Sequence, residues 1–362
     1  MADASSPQTK TTTLLTRNVF LDTQVFRQLG HNPENVVLKA LAGHINDSGL
    51  VLHVTDITFS EIRRQLHEFT GKTAQALKTA RKEYGRWRHR LPMVVSDDLP
   101  SFDAAAVADA AYKALLDAAS SDWAATFHSA TTVAAPQVFK DYFDGKAPFS
   151  NQGSKEFPDA FVIKCLEQWC TKNDERMYVV TADKAMSDAV NDAPHLYHAR
   201  TLEDLFALIA ATETPDIRDT VAKLLKKAKV ISSIQTAVNE NIGDLIPIYF
   251  GDFADGEVTD HELNGDVELV DFKVIAASTD EVSLILDIKA PLTVHIDYDD
   301  RSDAVYDKED DVYFGAETAQ MWFDDDPNIR VYARFSLNSA KLIALNMLTN
   351  EIFVSEPSDD YS

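Results

Sequence analysis

RNVFLDTQVF, residues 17–26, decides the reading of the N-terminal half of this 362-residue chain. An apolar run, Arg17–Leu21, is closed at once by Asp22, the pattern of a short buried strand that ends on a carboxylate. The same pattern returns in MYVVTAD, residues 177–183, where a second apolar run leads to Thr181 and Asp183. Two further acids stand where helical periodicity begins: Glu61 in DITFSEIRRQL and Asp159 in KEFPDAFVIKCLEQW. Residues 17–230 alternate such apolar runs with helical patterns, which predicts a parallel sheet covered by helices. Strand ends and helix starts meet at one edge of such a sheet, so the four carboxylates are expected to converge there. Carboxylates gathered at a water-facing edge repel one another unless a divalent cation holds them. Mg²⁺ or Mn²⁺ suits oxygen ligands together with phosphate oxygens, which points to phosphodiester cleavage.

Composition sets the outer limits. The length suggests two domains, and 45% hydrophobic with 25% charged residues is ordinary for a globular protein. No run is long and apolar enough to span a bilayer, so no membrane partner is expected. The N-terminus, MADASSPQTKTTT, has no apolar signal core, and residues 1–15 read as a disordered lead-in. The two cysteines, Cys165 and Cys170, lie in one helical pattern and point in different directions, which disfavours a disulfide between them. A reduced, cytoplasmic setting is therefore expected. His195 and His198, in a strand pattern, would face opposite sides, and no Cys/His spacing supports zinc. No Gly-rich phosphate loop indicates ATP or NAD.

The net charge of −24 is unevenly placed. Residues 231–362 hold 29 acids and 7 bases, which leaves 29 and 27 for residues 1–230. The periodicity changes in the same region. Residues 16–230 read as one α/β domain, including an Ala-rich helix to about Phe127 and a helix over 217–230. Residues 240–357 read as an acidic, mainly antiparallel β domain, a sandwich or open barrel, in which Val331, Ala333 and Phe335 alternate with Tyr332, Arg334 and Ser336.

Each acid also has a structural explanation by itself. Asp22 and Asp183 could cap the helices that follow, and Glu61 and Asp159 would be favourable first-turn charges. Taken in order, however, four pieces match one pattern: Asp22-Thr23 after the opening strand, Thr58-Phe59-Ser60-Glu61, Pro158-Asp159-Ala160, and Thr181-Ala182-Asp183. That pattern resembles a PIN-domain nuclease over roughly residues 16–210, and the long central insert looks like a larger bacterial subgroup. The resemblance implies that Asp22, Glu61, Asp159 and Asp183 bind Mg²⁺ or Mn²⁺, and that Thr181 orients a carboxylate or the attacking water. It further implies an endoribonuclease acting on single-stranded RNA, with a toxin or phage-defence role among the settings it suggests. The alternatives are a structure-specific DNA nuclease and an inactive binding module. PIN domains often pair, so a homodimer belongs to the same set of expectations.

For nucleic acid, residues 63–90 carry Arg63, Arg64, Lys72, Lys78, Arg81, Lys82, Arg86, Arg88 and Arg90 against Glu68 and Glu83, with Tyr84 and Trp87 interleaved. On one long helix leaving Glu61, these residues would form a basic arm with rings for stacking, suited to a single strand. Lys155, just before the third motif, would reach a phosphate. The acids of the C-terminal part, Asp297, Asp299, Asp300, Asp303, Asp307, Asp310 and Asp311 and then Asp324 to Asp326, read as polar loops. The acidic domain is expected either to gate the nuclease electrostatically or to contact a protein partner.

Overall fold

The computed structural model describes residues 13–90, 101–149, 156–302, 304–307, 312–315 and 317–356. It divides into two compact units, residues 1–209 and 210–362.

The first unit begins with β1 (Asn18–Leu21), whose last three residues are buried, followed by α1 (Thr23–Gln28). Helix α2 (Val36–Ser48) starts where the Asn35 side chain accepts from the Val37 N–H at 2.9 Å. It stops at Gly49, whose φ of 65° is the left-handed conformation that glycine takes without a Cβ penalty. Strand β2 (Val51–Thr55) leads directly into α3 (Asp56–Arg90), a 35-residue helix. Helix α4 (Ala104–Ser120), strand β3 (Thr126–His128) and helix α5 (Ala135–Phe143) follow. The unit closes with α6 (Phe157–Asn173), β4 (Met177–Val180), α7 (Lys184–Asp192), β5 (Leu196–Ala199) and α8 (Leu202–Glu213), the last running across the division.

The five strands form one parallel sheet in the order β3-β2-β1-β4-β5. The chain winds outward from β1 to β3, then crosses back to place β4 on the other side of β1. Its order therefore reverses between β1 and β4, and the crevice beyond their carboxyl ends is where an open α/β sheet binds ligands.

Two expectations change here. The Ala-rich helix ends at Ser120, not near Phe127, and Thr126–His128 instead adds an edge strand beside β2. Glu61 lies in the second turn of α3, because the helix starts at Asp56. The Thr55 hydroxyl caps this start, accepting from the Thr58 N–H at 3.1 Å, and the Asp56 carboxylate ties it down, accepting from Ser129 Oγ at 2.6 Å and the Ala130 N–H at 3.0 Å.

In the second unit, α9 (Ile217–Leu225) and α10 (Ala228–Asn241) replace the single helix expected over 217–230. Val221, Leu224, Val230, Ile234 and Val238 pack in one core with the strands that follow. Residues 210–230, grouped by sequence with the α/β part, thus belong to the second core. Eleven strands complete the described part of the unit: β6 (Ile246–Tyr249), β7 (Glu257–Leu263), β8 (Glu268–Ala277), β9 (Glu281–Lys289), β10 (Leu292–Asp300), β11 (Val305–Asp307), β12 (Val312–Phe314), β13 (Glu317–Asp325), β14 (Asn328–Ser336), β15 (Leu342–Met347) and β16 (Glu351–Val354). They form antiparallel sheets β13-β10-β7, β15-β14-β9-β8 and β11-β12, and one pair, β6 with β16, that is parallel. The predicted alternation in β14 holds, with Val331, Ala333 and Phe335 fully buried.

The acids of this unit sit differently from the expectation. Asp297, Asp299 and Asp300 lie within β10, and Asp324 and Asp325 within β13, so they are strand residues rather than loop residues. Asp297 and Asp299 share one face of β10, whereas the consecutive pairs Asp299–Asp300 and Asp324–Asp325 stand at strand ends, where both faces reach water. Asp303, Asp310 and Asp311 lie outside the described residues.

Candidate active site

Asp22 stands at the carboxyl end of β1, where its N–H donates to the Val180 carbonyl at 3.1 Å and locks the two central strand ends together. Its side chain is buried, and Thr181 Oγ1 donates to its Oδ2 at 2.7 Å. The same hydroxyl accepts from the Asp183 N–H at 3.0 Å. Thr181 itself is fully buried, so both sides of its hydroxyl serve protein groups. His198 supports it from behind, donating from Nε2 to the Thr181 carbonyl at 2.9 Å, a bond that requires the proton on Nε2. The sequence reading gave His198 no role. In the β4–β5 register His198 lies opposite Val179, from which its ring reaches the Thr181 carbonyl two residues on.

Glu61 reaches the same region from α3. Thr23 Oγ1, buried in the first turn of α1, donates to Glu61 Oε2 at 2.8 Å. Asp159 enters from the first turn of α6, just behind Pro158. Its carboxyl is pushed up to about 8, first by burial, next by a hydrogen bond shared with Glu156, and then by the charges of Asp22 and Glu61. Burial also raises Asp22, against the Thr181 hydrogen bond, and the charge of Asp183 adds to the rise. The Thr23 and Gln24 amides lie near enough to favour its charge, yet no capping bond closes. Asp22 is therefore not the cap that the simplest explanation made it. Asp183 is one: its Oδ1 accepts from the Met186 N–H at 2.9 Å.

The fold thus brings Asp22, Glu61 and Asp159 into mutual electrostatic range, with Asp183 beside Asp22. Sequence reasoning missed Glu156, the residue before the first turn of α6 and three positions from Asp159. No lysine or arginine forms an ion pair with any of these acids among the described residues. The donor set is all oxygen, partly desolvated and short of positive charge, which fits a hard divalent cation. No three acid, histidine or cysteine side chains among the described residues are yet close enough to share one ion.

Helix α3 carries the basic residues in one element, and some of them are paired with acids. Only Thr58, Phe59, Ile62 and Leu66 of α3 are buried, so its distal part is largely solvated. Arg63 pairs with Asp109 of α4 at 3.3 Å and lies over Tyr112, an acid and a ring the sequence did not place nearby. Arg64 pairs with Glu68 at 2.9 Å, and Arg86 with Glu83 at 2.7 Å. Lys78, Arg81 and Lys82 are exposed, and Arg88 is half-buried. Trp87 is 55% exposed, with Arg90 over its ring at 5.6 Å. Lys155 lies outside the described residues. No helix among the described residues is long and apolar enough to cross a membrane.

Comparison with known proteins agrees with this geometry. Residues 19–186 match the family model described as a PIN domain, a span that contains Asp22, Glu61, Asp159, Thr181 and Asp183. No curated protein and no solved structure matches the chain. PIN domains are generally nucleases and typically use divalent metals. The parallel sheet, the acids at its carboxyl edge and the matched span identify residues 19–186 of this chain as a PIN domain.

Proposed function

We propose that this PIN domain is a Mg²⁺- or Mn²⁺-dependent phosphodiesterase, an endoribonuclease acting on single-stranded RNA in the cytoplasm. The observation that carries the reading is the set of unneutralised carboxyl groups at the β1/β4 switch point, where burial raises both Asp22 and Asp159 from the ordinary value.

Asp22, Glu61, Asp159 and Asp183 would hold the ion, which when bound lowers the pKa of a coordinated water to give a nucleophile near neutral pH. The chain's own residues supply the rest. Thr181 fixes the Asp22 rotamer, Thr23 fixes that of Glu61, and His198 holds the Thr181 backbone. Glu156 shares a hydrogen bond with Asp159. Lys78, Arg81 and Lys82 would track phosphates, and Trp87 would offer a face to a base.

Incubating labelled single-stranded RNA and DNA with the protein, in Mn²⁺ or in EDTA, beside Asp22→Asn and Asp183→Asn, tests this reading. Cleavage of RNA that needs both metal and the acids is expected. Cleavage of DNA alone would move the assignment to the structure-specific DNA nuclease. The spacing of the acids favours a second reading, an inactive binding module. Calorimetric Mn²⁺ binding that is present in the wild type and lost in Asp22→Asn with Asp159→Asn would exclude it. A toxin or phage-defence role further predicts toxicity on expression that Asp22→Asn relieves.

A further inference from the structure

The second unit contains an apolar cavity of about 320 Å³, lined by Leu225, Ile231, Ile234, Leu269 and Ile288, with one charged residue, Lys226. Leu225, Ile234 and Ile288 are nearly fully buried and make its floor, while Ile231 and Leu269 stand at 47% and 38% exposure on its lip. This volume falls at the lower end for small-molecule pockets, which are mostly apolar with a few polar groups that fix orientation.

The charge at the rim is the telling feature. Residues 231–362 carry 29 acids and 7 bases, yet no acid lines this cavity. Lys226 follows α9, where the chain turns into α10, and Lys223, Lys227 and Lys229 stand beside it in sequence, all exposed. Lys226 is thus the one charge in the lining of this cavity, and Lys229 lines a separate one.

The geometry points to a binding site for a small aliphatic carboxylate, its chain against Leu225, Ile234 and Ile288 and its carboxylate at Lys226. An anion approaching this unit meets repulsion elsewhere, so Lys226 selects both the charge of the ligand and its orientation. A neutral aliphatic alcohol of equal length gains the same burial without the ion pair, and an aliphatic amine is repelled. This assignment is independent of the nuclease reading, since neither the acids of the first unit nor cleavage enters it.

Titration of the full-length protein with octanoate, 1-octanol and octylammonium, by calorimetry and by thermal shift, tests the inference. Octanoate is expected to bind in preference to the alcohol, and octylammonium to bind least. Lys226→Glu, an exposed change, should reduce octanoate affinity by about tenfold or more while leaving octanol unchanged. Leu269→Asp, at the lip, should weaken both ligands, and the melting temperature without ligand reports whether that variant still folds. Equal binding of octanoate and octanol, indifference to Lys226→Glu, or no saturable binding would each overturn the assignment. So would sedimentation showing a dimer that Leu269→Asp abolishes, because a second copy would then cover the cavity.

Discussion

At the scale of single residues, the site is built from hydroxyl groups as much as from acids. Thr181 donates to Asp22 and accepts from the Asp183 amide, so one side chain couples two motifs far apart in sequence. Thr181→Val keeps the shape and removes the hydroxyl. It should cost about 10–100-fold in Mn²⁺ affinity or cleavage, as losses of groups behind a metal ligand do, with Thr181→Ser retaining most of both. Equal values for Thr181→Val and wild type would assign the residue to packing alone. Asp159 carries a second prediction. Its carboxyl rises from 3.8 to about 8 on folding, chiefly through burial. A carboxyl raised in this way contributes stability that is full at acid pH and is lost as pH climbs through about 8. In EDTA, wild-type stability should therefore fall from about pH 4 to about pH 8 and level off above, whereas Asp159→Asn should stay flatter across that window. The variant should exceed wild type at the alkaline end by about 1 kcal/mol, roughly 2–4 °C in melting temperature. Parallel melting curves over this range would contradict the shift.

At the scale of elements, α3 has two different halves. Its start is anchored through Asp56 to Ser129 and Ala130, which follow the edge strand β3. Asp56→Ala removes both bonds and should cost about 1 kcal/mol or somewhat more, read from denaturant midpoints. Its distal half carries Lys78, Arg81 and Lys82 into solvent. Replacing these three by Ala should lower the log–log salt slope of single-strand binding by about 2, since each phosphate contact on a single strand is worth about 0.7. An unchanged slope would place nucleic acid elsewhere. The elements missed in the sequence show no clear local period. Strand β3 is three residues long, too short to show a period, and is defined by hydrogen bonding to β2. Strands β7 and β13 carry acids among their apolar residues, and this charge hides the alternation that exposed β14.

For the whole molecule, the division at residue 209 is testable by truncation. A chain ending after Glu213, the end of α8, leaves the α/β unit without the second core. One ending at Val230 adds α9, whose Ile217, Val221, Leu224 and Leu225 pack in that second core and would lose their cover. The shorter chain should be monodisperse and unfold cooperatively, while the longer should aggregate through its exposed helix face. Light scattering and thermal melts of the two check this. If the shorter chain also matches the full-length protein in cleavage rate and salt dependence, electrostatic gating by the acidic unit is ruled out.

The sequence by itself determined the alternating architecture, the change to β structure and the order of the four acids along the chain, because burial periodicity and chain-order motifs are local signals. Only the tertiary structure decided that α9 and α10 join the second core, that Asp109 faces Arg63, and that Glu156, Thr23 and His198 stand among the acids. These are contacts between segments whose local patterns are ordinary. A hydrogen bond or a shared charge across tens of residues leaves no period in the chain, and it exists once the sheet order has brought its ends together.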